Sequence, residues 1–358
     1  MDIKMTPVPH IAALAPYALA DLAPELTSLA QNESLRPPSP DALTAAQRAL
    51  ADAHLYPDPD WIDLRAALAC IHEVSADAIL CGAGSMELIG ALASAYLSAG
   101  DRMLTSDLAY LYFRTATQRS GAAFDLAPES GFTVDPDALI AALRPETKIV
   151  FVANPGNPTG TRIGRDALVR LRAALPGAVM LVIDEAYGEF ADGLDEGTFD
   201  LVAAGNTVVL RTFSKAYGCA GLRVGWGVFP PAIIGQMRKI LNPNNVSTVS
   251  QAAAAAATRD QAYMRDTVRQ TADIRDRFAN RMRAIGLDVP DSHTNFVILA
   301  FASPEQAQAA DAALRAQGIA MRGMGGYGLA HCLRATIAQE RTMQRAAQCL
   351  ERFIGEQP

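Results

Sequence analysis

The stretch Thr212-Phe213-Ser214-Lys215-Ala216-Tyr217-Gly218, continuing through Gly221-Leu222-Arg223-Val224-Gly225, decides how this chain is read. It follows the apolar, strand-like run Thr207-Val208-Val209-Leu210. A lysine therefore stands just past the end of a buried strand, with hydroxyls at Thr212 and Ser214 and a guanidinium at Arg223. Lysine is scarce: Lys4, Lys148, Lys215 and Lys239 are the only ones among 31 basic residues, the rest being arginine. Arginine stays protonated, whereas a lysine amine can lose its proton and attack a carbonyl. The layout suits a phosphorylated aldehyde, held covalently by Lys215 and through its phosphate by Arg223 and the hydroxyls. Pyridoxal 5'-phosphate (PLP) fits that description. A solvated loop lysine is the alternative this stretch alone leaves open.

Three more polar clusters follow apolar runs. The strand 148–153 leads into Asn154-Pro155-Gly156-Asn157-Pro158-Thr159-Gly160. Each proline restricts itself and its predecessor, so an asparagine amide here is held in one place. The strand 179–183 leads into Asp184-Glu185-Ala186-Tyr187. An acid at the end of a buried strand is costly without a positive partner, and a protonated pyridine nitrogen would be one. A helix N-cap is the other reading of that aspartate. Ile79-Leu80-Cys81 leads into Gly82-Ala83-Gly84-Ser85-Met86-Glu87, a strand-to-helix turn whose N–H groups and helix dipole suit a phosphate. A plain tight turn is the alternative, and the spacing is not the G-x-G-x-x-G of a dinucleotide site. Ligands of open α/β sheets gather beyond the C-terminal strand ends, where all four clusters fall.

Strands and helices alternate from residue 79 to 229, and the strands read as continuous Val/Ile/Leu runs. The expected fold is α/β, a mostly parallel sheet sandwiched by helices, with a smaller α+β domain at the C-terminus. Three parts are expected: an irregular, proline-rich N-terminal arm on the substrate side (1–40), a large PLP-binding domain (41–245) and a small domain (246–358). A net charge of −7 without a basic cluster argues against nucleic acid and anionic membranes as partners. No apolar run approaches a membrane span, and no signal-peptide pattern opens the chain. Cys70, Cys81, Cys219, Cys332 and Cys349 are odd in number and scattered, which suits free thiols in a reducing cytoplasm. The histidines lack ligand spacing, so no metal is expected.

Taken in order, N-P-G-N-P-T-G (154–160), D-E-A-Y (184–187) and S-K-A-Y-G-C-A-G-L-R-V-G (214–225) resemble the class I/II aminotransferases of PLP fold type I, and among them most the histidinol-phosphate aminotransferases. The resemblance runs from Ile11–Tyr17 to Cys332–Thr336. It implies a transaminase working between an L-amino acid, or an amino-alcohol phosphate such as histidinol phosphate, and a 2-oxo acid. PLP-dependent decarboxylation, oxidative deamination and a catalytically idle PLP-binding relative are the alternatives on the same scaffold.

The resemblance also assigns roles. Lys215 would bind PLP covalently and shuttle the proton. Asp184 would pair with the ring nitrogen, Asn157 and Tyr187 would hydrogen-bond the ring oxygen, and Tyr110 would stack on the ring. Ala83, Gly84 and Ser85, mainly through backbone N–H groups, would bind the phosphate with Ser214, Arg223 and Thr212. Tyr56 would reach the phosphate of a neighbouring subunit, which implies a homodimer with shared sites. Arg334 would grip the substrate α-carboxylate. Tyr17 and Arg322 would border the pocket for an acidic or phosphorylated distal group, and Arg36 is either a further cation bordering that pocket or a plain solvent-facing residue. Where the family often reads N-E-N-P-x-G, this chain has Asn32-Glu33-Ser34-Leu35-Arg36-Pro37, and Asn244 stands where the histidinol-phosphate enzymes carry an aromatic residue.

Overall fold

The computed structural model describes residues 5–16, 25–193, 197–203 and 205–356. The first elements are α1 (Pro9–Ala12), β1 (Thr27–Leu29), α2 (Pro40–Ala49), α3 (Ile62–His72), β2 (Ile79–Gly82) and α4 (Ser85–Tyr96). Then come β3 (Arg102–Ser106), α5 (Leu111–Arg119), β4 (Ala123–Ala127), α6 (Pro136–Ala141), β5 (Thr147–Ala153), α7 (Arg165–Ala174), β6 (Met180–Asp184), β7 (Thr207–Thr212) and β8 (Gly225–Val228). The chain closes with α8 (Pro231–Ile240), α9 (Thr248–Arg259), α10 (Gln261–Ala284), β9 (Phe296–Ala300), α11 (Pro304–Ala316), β10 (Ile319–Met324), β11 (Leu329–Thr336) and α12 (Glu340–Gly355).

The larger sheet has seven strands in the order β2-β8-β7-β6-β5-β3-β4. From β7 to β4 all pairs are parallel, and β8 runs antiparallel between β7 and β2. Strand β2 therefore points the same way as β7, and the C-terminal ends of β2, β3, β5, β6 and β7 share one edge. Strands β6 and β7 are buried along their whole length, as their unbroken apolar runs require. Register fixes two rows at that edge. Gly225 lies opposite both Gly82 and Thr212, and Asp184 lies opposite Ala153 and Leu210.

The smaller sheet has the order β1-β10-β11-β9. Its β1 belongs to the arm that the sequence reads as irregular: Thr27 N–H donates to Gly318 O at 2.8 Å and the strand continues parallel to β10. Three residues are too few for alternation to show, so only the long-range pairing reveals it. The alanine tract of α9 departs from expectation in the same way. Ala253, Ala254, Ala255 and Ala257 are buried in the larger core, against α2 and α3, whereas the sequence reading groups them with the small domain. Small side chains let the helix pack closely there. The change of core falls along α10, where Met264 belongs to the first core and Ile274 and Phe278 to the second. Among the described residues no helix is long and apolar enough to cross a membrane.

Candidate active site

One cavity of about 670 Å³ opens at the shared strand edge, between the two sheets. Its walls include Ser85, Tyr110, Asn157, Asp184, Tyr187, Thr212, Ser214, Lys215, Arg223, Arg322 and Arg334, residues drawn from six strand ends and the smaller sheet.

The corner next to β2, β7 and β8 is crowded backbone. A Cβ on Gly225 would lie 2.1 Å from Ser85 N, and one on Gly84, whose φ is +83°, would lie 2.3 Å from Arg223 Nη2. At Gly225 the backbone-to-backbone approach requires glycine, and at Gly84 the left-handed φ does. Arg223 is itself left-handed, with φ +53°, and its Nη1 donates to Ala220 O at 3.1 Å and to Ser214 Oγ at 3.4 Å. Thr212 Oγ1 donates to Ser214 Oγ at 3.0 Å and accepts from Ser214 N–H at 3.2 Å. Helix α4 begins here without a side-chain cap. A dianionic phosphate matches this corner: a guanidinium, two hydroxyls and an open helix N-terminus. The N–H groups divide unevenly. Ala83 N–H is given to Glu87 Oε2 at 2.6 Å and Gly84 N–H to Gly82 O at 2.8 Å, so donation to an anion falls to α4 from Ser85 onward. Glu87, at the third helical position, reaches back as a capping-box acid does.

Asp184 is 4 % exposed and accepts one backbone hydrogen bond, from Ala186 N–H at 3.2 Å. Burial pushes its carboxyl up to about 7. A buried acid held back from ionising is a site for a cation, and a ring N–H⁺ of PLP is a group of that kind. Lys215 sits nearby, its Nζ donating to Asn32 O at 2.9 Å. Burial first, then Arg334, pushes its amine down to about 7, so near neutrality a large share of it is uncharged and nucleophilic. Burial pushes the Tyr187 hydroxyl well above its ordinary range, which keeps it a donor. Arg334 Nη1 donates to Asn157 Oδ1 at 2.7 Å and Nη2 to Ala30 O at 3.1 Å. With Oδ1 so occupied, the Asn157 NH2 is the end left for a ring oxygen. Tyr110 stands at the start of α5, edge-on to Phe113 at 5.7 Å.

Residues 24–350 match the family described as Aminotransferase class I and II. The chain belongs to the class I and II aminotransferases. The histidinol-phosphate aminotransferase of Jannaschia sp. (strain CCS1) is 40 % identical over 360 residues, covering 99 % of this chain and 100 % of that protein. The crystal structure of histidinol-phosphate aminotransferase from Sinorhizobium meliloti in complex with pyridoxal-5'-phosphate superposes with a TM-score of 0.90 at 31 % identity, covering 97 % of each chain. A tetra mutant of Thermus thermophilus aspartate aminotransferase shares the fold at a TM-score of 0.84 and 22 % identity, covering 98 % of this chain and 100 % of that one. The aminotransferase is an enzyme of PLP fold type I with PLP as its cofactor. The corner at Gly84 and Gly225 and the uncompensated Asp184 fit the two ends of that molecule.

Not every expected site residue of the aminotransferase lines the cavity. Arg36 departs from the substrate-side expectation: its Nη1 is paired with Asp266 at 2.6 Å and its guanidinium lies 3.9 Å from the Tyr263 ring centroid. A charge already spent on a carboxylate has little left for a ligand. Tyr56 is 88 % exposed and Asn244 is also exposed, both away from this chain's cavity. Tyr17 lies outside the described residues. The structure adds Gln31, Tyr112 and Tyr327 to the walls, together with Asn32 and Glu33, which the sequence reading quoted as a departing motif but gave no role. Asn32 carried one usable signal, since asparagine is among the few non-glycine residues at ease with positive φ.

Proposed function

We propose that the aminotransferase takes an amino donor bearing a phosphate monoester, histidinol phosphate being the candidate, with a 2-oxo acid as acceptor. One observation carries this reading. Arg322 and Arg334 face each other in register across the antiparallel pair β10–β11, and both line the cavity that holds Lys215. Two adjacent guanidiniums suit an anionic group that sits beside the reacting centre, in donor and acceptor alike. The full-length similarity to proteins named histidinol-phosphate aminotransferase points the same way.

When bound, PLP supplies an electron sink for the carbon bearing the amino group. The Asp184 carboxylate would take the ring N–H in a charge-assisted hydrogen bond. Asn157 NH2 and the Tyr187 hydroxyl would donate to the ring oxygen. Ser214, Arg223, Thr212 and the start of α4, from Ser85 beside Ala83 and Gly84, would hold the phosphate, and Tyr110 would cover the ring face. The Lys215 amine, poised near neutrality, would carry the proton to and from the substrate carbon. Arg334 and Arg322 would orient the anionic end, with Arg334 also holding Asn157.

A donor comparison tests the reading. Histidinol phosphate should outpace histidinol by at least about a hundredfold in kcat/KM, and Arg322→Ala should shrink that preference about tenfold or more, a charge-assisted hydrogen bond being worth about 1.5–3 kcal/mol. Equal use of the two donors would rule the phosphate reading out.

A second copy of the chain completes the proposal. Tyr56 projects from the loop after α2, beside exposed Leu50, Leu55 and Ile62, and a homodimer with Tyr56 reaching the neighbouring phosphate would cover that surface. Sedimentation at micromolar concentration should give twice the monomer mass of 38.0 kDa. We place the enzyme in the cytoplasm, where its unpaired cysteines stay reduced.

A further inference from the structure

We infer that Asn32 is a positioning residue for the reaction, its amide turning the Tyr187 hydroxyl so that the phenolic proton is donated into the cavity. Asn32 is 2 % exposed and left-handed, with φ +55°. All of its polar atoms are engaged. Its N–H donates to Thr336 Oγ1 at 2.9 Å, its C=O accepts from Lys215 Nζ at 2.9 Å and from Asn295 Nδ2 at 3.1 Å, and its Oδ1 accepts from Thr336 Oγ1 at 3.3 Å. Its Nδ2 donates to Tyr187 Oη at 2.8 Å. The amide orientation is self-consistent. Thr336 Oγ1 accepts the backbone N–H and gives its own proton to Oδ1, so the NH2 end faces the tyrosine.

A phenol oxygen that accepts from an amide must send its single proton elsewhere. Among the described residues Tyr187 Oη makes no other hydrogen bond, and its ring is held edge-on to Phe296 at 5.2 Å. Tyr187 lines the cavity, so the proton is directed to an acceptor bound there. The charged and titratable groups around Tyr187 and Lys215 are Arg334, Asp184, Tyr327, Glu33 and Arg223. Asn32 thus hangs from the end of β11, two residues past Arg334, and reaches across to both Lys215 and Tyr187. It ties the substrate-side strand to the chemistry of the larger sheet.

The inference rests on the reading above that PLP occupies the cavity with its ring oxygen toward Tyr187. The test is the pH midpoint of the visible absorption change of the PLP-loaded enzyme. Asn32→Gly keeps the left-handed backbone and the acceptor for Lys215 but removes the amide. A hydrogen bond donated to an anionic oxygen lowers its proton affinity, so losing its orientation should raise the midpoint by about one unit, a tenfold change in proton affinity. Asn32→Asp should raise it further, because a carboxylate would draw the Tyr187 proton away from the cavity. In a Tyr187→Phe background Asn32→Gly should add nothing. A purely structural role would lower the melting temperature of these variants and leave the midpoint in place. Folded Asn32→Gly and Asn32→Asp enzymes that titrate with the wild-type midpoint overturn the inference alone, as does an undiminished Asn32→Gly shift in the Phe background. A wild-type enzyme that acquires no visible band with PLP overturns the reading beneath it, and the inference falls with it.

Discussion

The two sides of the cavity are built in different ways. The side proposed to hold the cofactor comes from strand ends and the turns that follow them: Gly84–Ser85 after β2, Asp184 at the end of β6, and Thr212 to Arg223 between β7 and β8. Its key approaches are backbone to backbone, as at Gly225 and Ser85. The side proposed to face the substrate is tied together across the chain. Arg334 reaches Ala30 and Asn157, and Asn32 reaches Thr336, Tyr187 and Lys215, over sequence separations of 155 to 304 residues. One side is a rigid cradle made by local geometry. The other is a set of long-range side-chain ties, through which a change on that side also reaches Asn157, Tyr187 and Lys215.

If the cradle side carries the chemistry, its variants should have the largest effects. Lys215→Ala should lose at least about 10⁴-fold in turnover, since both covalent attachment and proton transfer depend on the amine, while the protein stays folded. Borohydride treatment followed by mass measurement checks it, and a surviving PLP adduct on the variant would remove Lys215 from the role.

Asp184→Asn should slow the reaction about a hundredfold or more, roughly 2.7 kcal/mol of barrier. It should also stabilise the cofactor-free protein. The folded carboxyl lies at about 7, above its ordinary 3.8, so its contribution to stability is intact below about 3.8 and is lost as pH rises through 7. The cofactor-free variant should therefore melt above the cofactor-free wild type at pH 8, with the gap closing toward pH 4. A gap of the opposite sign would mean that Asp184 already has a cation partner in the protein itself.

Gly225→Ala probes the cradle by shape alone. A methyl group 2.1 Å from Ser85 N must push β8 or the start of α4 aside. Overpacking of this kind costs about 1–3 kcal/mol, which should weaken PLP about ten- to hundredfold by equilibrium titration. Unchanged affinity would show that the corner does not hold the phosphate.

The smallest effect belongs to the far edge of the substrate side. Arg36→Ala gives up a mostly covered ion pair with Asp266 and its stacking on Tyr263, together about 1 kcal/mol. It should shift the melting temperature by a few degrees at most and leave the ranking of donors unchanged. A changed ranking would bring Arg36 back into the pocket and blur the division between the two sides.

Much of the fold is legible in the sequence. The unbroken apolar runs at 149–153, 180–183 and 207–210 mark parallel strands buried on both faces, and the polar clusters at their C-terminal ends gather at one edge as open α/β sheets require. The family followed from three motifs in order. These readings succeed because strand periodicity, tight turns and glycine-permitted backbone are set by neighbours in the chain. What only the tertiary structure decided lies at longer range. Strand β1 exists because β10 offers it hydrogen bonds, and the α9 alanines join the larger core because α2 and α3 are there to receive them. Asp266 claims Arg36, and Asn32 becomes the meeting point of Lys215, Tyr187 and Thr336. A side chain's chemistry is written at its own position, but its partner is chosen by the path of a chain that returns hundreds of residues later.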